Sequence, residues 1–177
     1  MSLPAHAITV EQLHQLQTAD QEALAALLID TVNGGASVGF MQPLSMERAL
    51  QFWSRIAREV ATGQRALWVV RDGFGIAGTV QLVLDQPDNQ PHRADISKLL
   101  VHRRARRQGL GDALMRAAQT QARQNAKTLL VLDTASPDAE RLYTRLGWQP
   151  SGVIPGYALL PDGALCDTTY YYLPLTD

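Results

Sequence analysis

The sequence predicts an α/β domain built on a mixed sheet with helices on both faces, and three observations carry the prediction. Apolar residues recur at a helical period as far as about Val60 and switch to a period of two from Ala66. From Arg93 onward strand-like and helix-like stretches alternate. A length of 177 residues with 46% hydrophobic composition suits one compact unit, so residues 1–177 are expected to share a single core.

In chain order, His6 to Val10 suit a short first strand, and Thr9 with Gln12 fits a capping box opening a helical stretch that carries Leu13 and Leu16. A firmer helix spans about Asp20 to Val32, with Asp20 as N-cap, Leu24, Leu27, Leu28 and Thr31 on one face, and Asn33-Gly34-Gly35 as its stop. Asn33 to Pro43 has the composition of a shaped loop. Ser45 then caps another helix, with Glu47 in its first turn and Met46, Leu50, Trp53, Ile56, Ala57 and Val60 as an apolar stripe ending at Gly63.

Ala66 to Val70, the Asp72-Gly73 turn and Ile76 to Leu84 read as an antiparallel hairpin, and a third strand follows from about Arg93 to Val101. Next come a basic loop, a helix from about Gly109 to Asn125, an apolar strand at Thr128 to Asp133, and a shorter helix from about Pro137 to Leu146 closed by Gly147. Two further strands, near Val153 to Leu160 and Thr168 to Leu173, are joined by the turn Pro161-Asp162-Gly163.

Composition narrows the function classes. With 16 basic and 17 acidic residues the formal charge is -1, which gives no electrostatic footprint for nucleic acid. No apolar run approaches the ~18 residues that cross a bilayer, so neither signal peptide nor membrane partner is expected and a cytoplasmic location is. Cys166 has no second thiol to pair with and reads as a small buried hydrophobe. His6, His14, His92 and His102 lack metal-ligand spacing, and no metal is expected. Gly73-Phe74-Gly75-Ile76-Ala77-Gly78 matches a dinucleotide fingerprint literally, but strand periodicity rather than a helix follows it, and a hairpin turn explains the glycines. The run Tyr170-Tyr171-Tyr172 sits in a strand, where alternation sends its members to both faces and core packing is the simpler account.

One local feature is basic. Val101-His102-Arg103-Arg104-Ala105-Arg106-Arg107-Gln108-Gly109-Leu110-Gly111 joins a strand to a helix, where free amides and the helix dipole attract anions. Gly109 and Gly111 would let a ligand lie against the backbone, and the four arginines add donors suited to phosphate. A solvated basic turn and, with no aromatic residues interleaved, a nucleic-acid patch are the alternatives. A phosphate-bearing cofactor makes the best use of this spacing.

Arg106-Arg107-Gln108-Gly109-Leu110-Gly111 resembles the Gln/Arg-x-x-Gly-x-Gly/Ala motif of the GNAT N-acetyltransferases. Ala139-Glu140-Arg141-Leu142-Tyr143-Thr144-Arg145-Leu146-Gly147-Trp148 resembles that family's second signature. The resemblance runs from about residue 65 to the end. It implies a GNAT-like, mostly antiparallel mixed sheet, with acetyl-coenzyme A as co-substrate. It also implies that the amides of Arg107, Gln108, Gly109, Leu110, Gly111 and Asp112 bind the pyrophosphate together with Arg106, while Leu99, Leu100 and Val101 hydrogen-bond the pantetheine. Ser136 stands where the family commonly has an asparagine that contacts the cofactor. More narrowly, Thr31 to Met41, Arg93 to Leu99 and Leu132-Asp133-Thr134 resemble stretches of the tabtoxin-resistance branch of that family.

Acetyl transfer to an amine needs a deprotonated amine, a polarised carbonyl and an acid for the departing thiolate. By periodicity Tyr143 would be a core tyrosine, and the resemblance implies that it protonates the thiolate. Asp133 ends an apolar strand where α/β sheets commonly hold ligands, and a turn aspartate is the alternative. Asp95 alternates with Ser97, Leu99 and Val101 and is expected to share their face, with a solvated strand carboxylate as the alternative. The branch resemblance favours both carboxylates as groups that attract an ammonium and relay its proton. Asn33, Gly34, Gly35, Phe40 and Met41 are expected to border the pocket of a small-molecule amine. A protein amine as acceptor, or a non-catalytic acyl-coenzyme A module, remains open, as does monomer against homodimer.

Overall fold

The computed structural model describes residues 8–175. The first strand, β1, is Val10–Leu13. It pairs antiparallel with β2, Arg65–Asp72, through Val10↔Val70 to Leu13↔Leu67, so the helical stretch expected after Thr9 is a strand. Leu13 and Leu16 are buried in either reading, and cross-strand pairing decides between them. The expected strand at residues 6 to 10 lies partly outside the described residues, and its described end, Val10, opens β1.

Helix α1, Thr18–Asn33, begins earlier than expected. Its N-cap is Gln17, and Asp20 sits three residues on, where its carboxylate accepts the Gln17 amide at 2.9 Å and the Arg71 guanidinium at 2.6 Å. A carboxylate favours either position at a positive helix end, and the Arg71 partner on β2 draws it inward. Helix α2, Met46–Ala61, is capped as expected, with Ser45 Oγ accepting the Arg48 amide at 3.2 Å. Ala49, Trp53, Ile56 and Val60 carry its buried face, whereas Met46 is exposed.

Strands β3, Gly75–Val83, and β4, Arg93–Val101, continue the antiparallel meander. A 3-10 turn at Arg103–Ala105 leads into α3, Leu110–Gln124, followed by β5, Leu129–Thr134, and α4, Pro137–Arg145. Strands β6, Gln149–Leu159, and β7, Leu165–Pro174, form the closing hairpin, in which Cys166 is half-buried rather than buried. The sheet order is β1-β2-β3-β4-β5-β7-β6, with β4 and β5 its one parallel pair.

Strand alternation divides two cores. Leu67, Val69 and Leu100 pack beneath α1 and α2 with Leu24, Leu28, Trp53 and Ile56. On the other face Trp68, Val80, Leu82, Leu130 and Leu132 pack with Leu114, Met115 and Ala118 of α3 and with Tyr143 of α4. Among the described residues no helix is long and apolar enough to cross a membrane.

Candidate active site

Strands β4 and β5 pair only at Arg93↔Leu129, Ala94↔Leu130 and Asp95↔Val131. Beyond these pairs β4 follows β3 to Val101 and β5 follows β7 to Thr134, so the two strands part. The opening faces the carboxyl ends of parallel strands, where open α/β sheets bind ligands. It also leaves one backbone edge of residues 96–101 without a strand partner.

Within that edge β4 carries a bulge. Thr79 lies opposite Leu100 and Gln81 opposite Ser97, so two residues of β4, Lys98 and Leu99, face one of β3, and Lys98 takes φ +50°. The bulge reverses the alternation. Asp95 therefore shares its face with Ser97 and Leu100, on the side of α1 and α2, whereas Leu99 and Val101 do not continue its row. The expected common face of Asp95, Ser97, Leu99 and Val101 is corrected accordingly.

Past Val101 the chain curls into the basic turn. Arg103 and Arg104 are taken by acidic neighbours: Arg103 Nε donates to Asp30 at 2.8 Å and Arg104 Nε to Asp72 at 2.9 Å. The expectation that all four arginines serve an anion is therefore halved to Arg106 and Arg107. Among the described residues Arg106 Nε reaches only the Val101 carbonyl, at 3.4 Å.

Arg107 at φ +61° and Gly109 at φ +86° turn the backbone left-handed immediately before α3. Such a curl points successive amides into one concavity. The first amide engaged by the helix itself is that of Ala113, on the Gly109 carbonyl at 3.1 Å, which leaves those of Leu110 to Asp112 for an anion. Gly111 has a packing reason for being glycine, since a Cβ there would stand 3.0 Å from Leu142 Cδ2 of α4. Asp112 binds Arg116 at 2.6 Å. At the start of α4, Ser136 Oγ accepts the Ala139 amide at 3.3 Å, so its oxygen works as a helix cap and its hydroxyl proton is left to donate.

Toward the other end of the opening stand two carboxylates on one face of the sheet and, in the core on the other face, a tyrosine that feels the charge of one of them. In β5 Leu130 and Leu132 face the α3 core, which puts Asp133 on the opposite face with Val131, the neighbour of Asp95. The two carboxylates are thus on one face, about 7 Å apart along the strand direction. Asp95 is held by Arg93 and by Gln86 Nε2 at 3.4 Å. Asp133 is exposed to the opening, yet partial burial raises its carboxyl above the ordinary value, Lys98 opposing the shift and Asp95 adding to it. Tyr143 is buried against Trp148 and Tyr171, with ring centroids 6.0 and 5.8 Å away. Burial, followed by the charge of Asp133, pushes its phenol well above the usual value and keeps it protonated.

The loop from residue 34 to 45 crosses from α1 to the β6–β7 turn. Gln42 N donates to the Pro161 carbonyl at 3.0 Å, and Ser37 Oγ to that of Leu159 at 3.3 Å. Phe40 packs edge-on against Phe52 of α2 at 5.3 Å, and Met41 is partly exposed beside it in sequence. Asn33 and Gly35 are exposed at the end of α1, and Gly34 sits against the Arg103 side chain, at the basic turn rather than at the aromatic cluster.

Sequence reasoning missed three participants. Lys98 lies on the bulge with its ammonium 5.8 Å from the Phe52 ring centroid, and its signal was a lysine set directly before the apolar run Leu99 to Val101. Phe52 lay outside the helical stripe. Tyr170, pairing with Asp133 across β5 and β7, is on the opening's face and hydrogen-bonds Tyr157 through the hydroxyls at 2.9 Å. That bond, then burial, raises its phenol. Core packing therefore accounts for Tyr171 alone of the tyrosine run. Among the described residues no cluster of three or more metal-ligating side chains occurs.

The acetyltransferase (GNAT) domain model matches residues 63–150, the segment that holds the meander, the basic turn, α3, β5 and α4. The chain carries a GNAT acetyltransferase domain. Solved GNAT-type structures share its fold. An N-acetyltransferase from Staphylococcus aureus Mu50 matches at 15% identity and TM-score 0.77, over 95% of this chain and 99% of that one. A GNAT superfamily phosphinothricin acetyltransferase from Sinorhizobium meliloti, solved with acetyl-coenzyme A, matches at 19% identity and TM-score 0.78, over 94% and 88%. A ribosomal-protein-alanine N-acetyltransferase from Brucella melitensis matches at 18% identity and TM-score 0.74, over 94% and 99%. The GNAT fold read from the sequence therefore stands, as does the assignment of an acetyltransferase domain. Among these GNAT relatives are both small-molecule and protein acetyltransferases.

Proposed function

We propose that this GNAT enzyme acetylates the primary amine of a small, amino-acid-like molecule. The observation that carries the reading is the parting of β4 and β5 between an amide-lined anion turn at one end and Asp133 at the other. The strapped loop supports a small acceptor, because its bonds to Leu159 and Pro161 narrow the acceptor side. The resemblance of that loop to the tabtoxin-resistance branch, and the fold shared with a phosphinothricin acetyltransferase, point the same way.

The residues fit acetyl-coenzyme A. The amides of Arg107 to Asp112, including Gln108, Gly109, Leu110 and Gly111, with the side chains of Arg106 and Arg107, hold the diphosphate. The open edge of Leu99, Leu100 and Val101 offers backbone partners to the pantetheine amides, and Ser136 donates its hydroxyl proton. The coenzyme supplies an activated thioester whose leaving group is a thiolate. Asp133 takes the proton of the incoming ammonium, and its raised carboxyl value makes it the stronger base. Asp95, engaged by Arg93, adds negative field beside it. Tyr143 gives its proton to the departing sulfur. Of the loop residues, Phe40 and Met41 are the apolar walls of the acceptor side, whereas Asn33, Gly34 and Gly35 lie toward the basic turn.

The direct test is thiol release from acetyl-coenzyme A with a panel of amino-acid-like amines, polyamines and basic peptides. Turnover is expected with the first group. Turnover with basic peptides alone would move the acceptor to protein, and a lack of thiol release with every amine would refute catalysis. For Arg106→Ala combined with Arg107→Ala, calorimetry is expected to show acetyl-coenzyme A affinity lowered about tenfold or more. Unchanged affinity would remove the two guanidiniums from the phosphate site.

A further inference from the structure

Lys98 is not accounted for by any step above, and its surroundings are unusual for a cation. Its backbone sits in the left-handed region at the β4 bulge, which turns the side chain out of the strand's regular alternation. The ammonium lies 5.8 Å from the Phe52 ring centroid and 4.0 Å from the position a Cβ on Gly39 would occupy, between α2 and the strapped loop. Among the described residues it makes no hydrogen bond and no ion pair. The guanidiniums nearby are engaged instead: Arg65 binds Glu59 at 2.7 Å and Gln81 at 2.6 Å, and Arg55 approaches Glu59 at 3.8 Å. Burial lowers the ammonium's pKa, Asp133 opposes the shift, and Arg65 and Arg55 add to it.

A desolvated ammonium with up to three unsatisfied donors is costly, and sites tolerate that cost where a ligand anion completes the shell. Lys98 and Asp133 influence each other electrostatically without pairing, so they present a cation and a carboxylate to one opening. An α-amino acid carries the matching charges a few bonds apart. We propose that Lys98 recognises a carboxylate, or an equivalent small anion, adjacent to the amine that Asp133 deprotonates, so that the acceptors are zwitterions rather than polyamines or basic peptides. A second cation on the acceptor would meet Lys98, Arg55 and Arg65 together. This assignment rests on the acetyltransferase reading above and narrows its substrate class.

The test compares amino acids with their primary amides, which keep the amine and lose the negative charge. Thiol release is measured for the wild type, Lys98→Met and Lys98→Arg. The wild type is expected to favour the acids in kcat/KM by about tenfold or more. Lys98→Met should abolish that preference, bringing the acid-to-amide ratio of kcat/KM close to one mainly through KM for the acids, and Lys98→Arg should restore part of it. Equal use of acids and amides by the wild type, an acid preference surviving in Lys98→Met, or turnover of neither series would each overturn the proposal. Calorimetry with acetyl-coenzyme A on the wild type separates the two levels: absent binding there defeats the acetyltransferase reading itself, whereas binding with no acid preference defeats only the role of Lys98.

Discussion

Replacing Tyr143 with phenylalanine is expected to lower kcat about 10²- to 10⁴-fold, the range general acid catalysis typically supplies, with acetyl-coenzyme A affinity nearly unchanged. The expectation follows from what the substitution leaves in place. The ring packs between Trp148 and Tyr171 in the α3 core, and phenylalanine preserves those contacts and the fold. Only the proton is lost. Burial and the charge of Asp133 hold the phenol protonated through neutral pH, the state needed to neutralise a departing thiolate. Steady-state kinetics beside calorimetry decides the matter, and a kcat within about threefold of wild type would withdraw the acid role from Tyr143.

Asp133→Asn is expected to reduce kcat/KM by a similar factor, about 10²- to 10⁴-fold, and to change the pH profile. In the wild type the acid limb should lie above the ordinary carboxyl value of 3.8, because partial burial raises Asp133. Below that limb the carboxyl is protonated and cannot accept a proton, and in Asp133→Asn the limb should vanish. Stability should move the other way. With the folded-state value above the unfolded one, the folded protein binds more protons in that window, so stability falls as pH rises through it and stays reduced at neutral pH. Asp133→Asn removes that penalty and should melt no lower than wild type at pH 7. A retained acid limb would transfer the base role to another group, with Asp95 the first to examine.

Locally encoded features were legible in the sequence, whereas those set by distant partners were not. Ser45 announces α2 because a cap is a matter of three residues, and the Asp72-Gly73 turn announces its hairpin in the same way. The start of α1 is displaced because a carboxylate three residues into a helix and one at its cap look alike until Arg71 is placed. The strand at Val10 needs β2 beside it to be distinguished from a helix. At the site, Gly109 before α3 and Tyr143 on the inner face of α4 follow from sequence pattern. The engagement of Arg103 and Arg104 does not, since Asp30 and Asp72 lie 73 and 32 residues away. The bulge escaped notice because Lys98 occupies a left-handed conformation without being glycine, and one unsignalled residue there inverted the side-chain order as far as Val101.

The short contact between β4 and β5 has a mechanical consequence. Three residue pairs join a four-stranded and a three-stranded slab, with the Thr128 amide on the His92 carbonyl at 2.8 Å beside them, and Lys98 and Asp133 stand on opposite lips of the gap above. The slabs are also tied by the strapped loop, through Gln42 N on the Pro161 carbonyl, and by one core that Leu82 shares with Leu130 and Leu132. A coenzyme chain bonded to one lip and an acceptor bridging both would be mortar between walls already set, so that the reacting groups are aligned by folding before either ligand arrives.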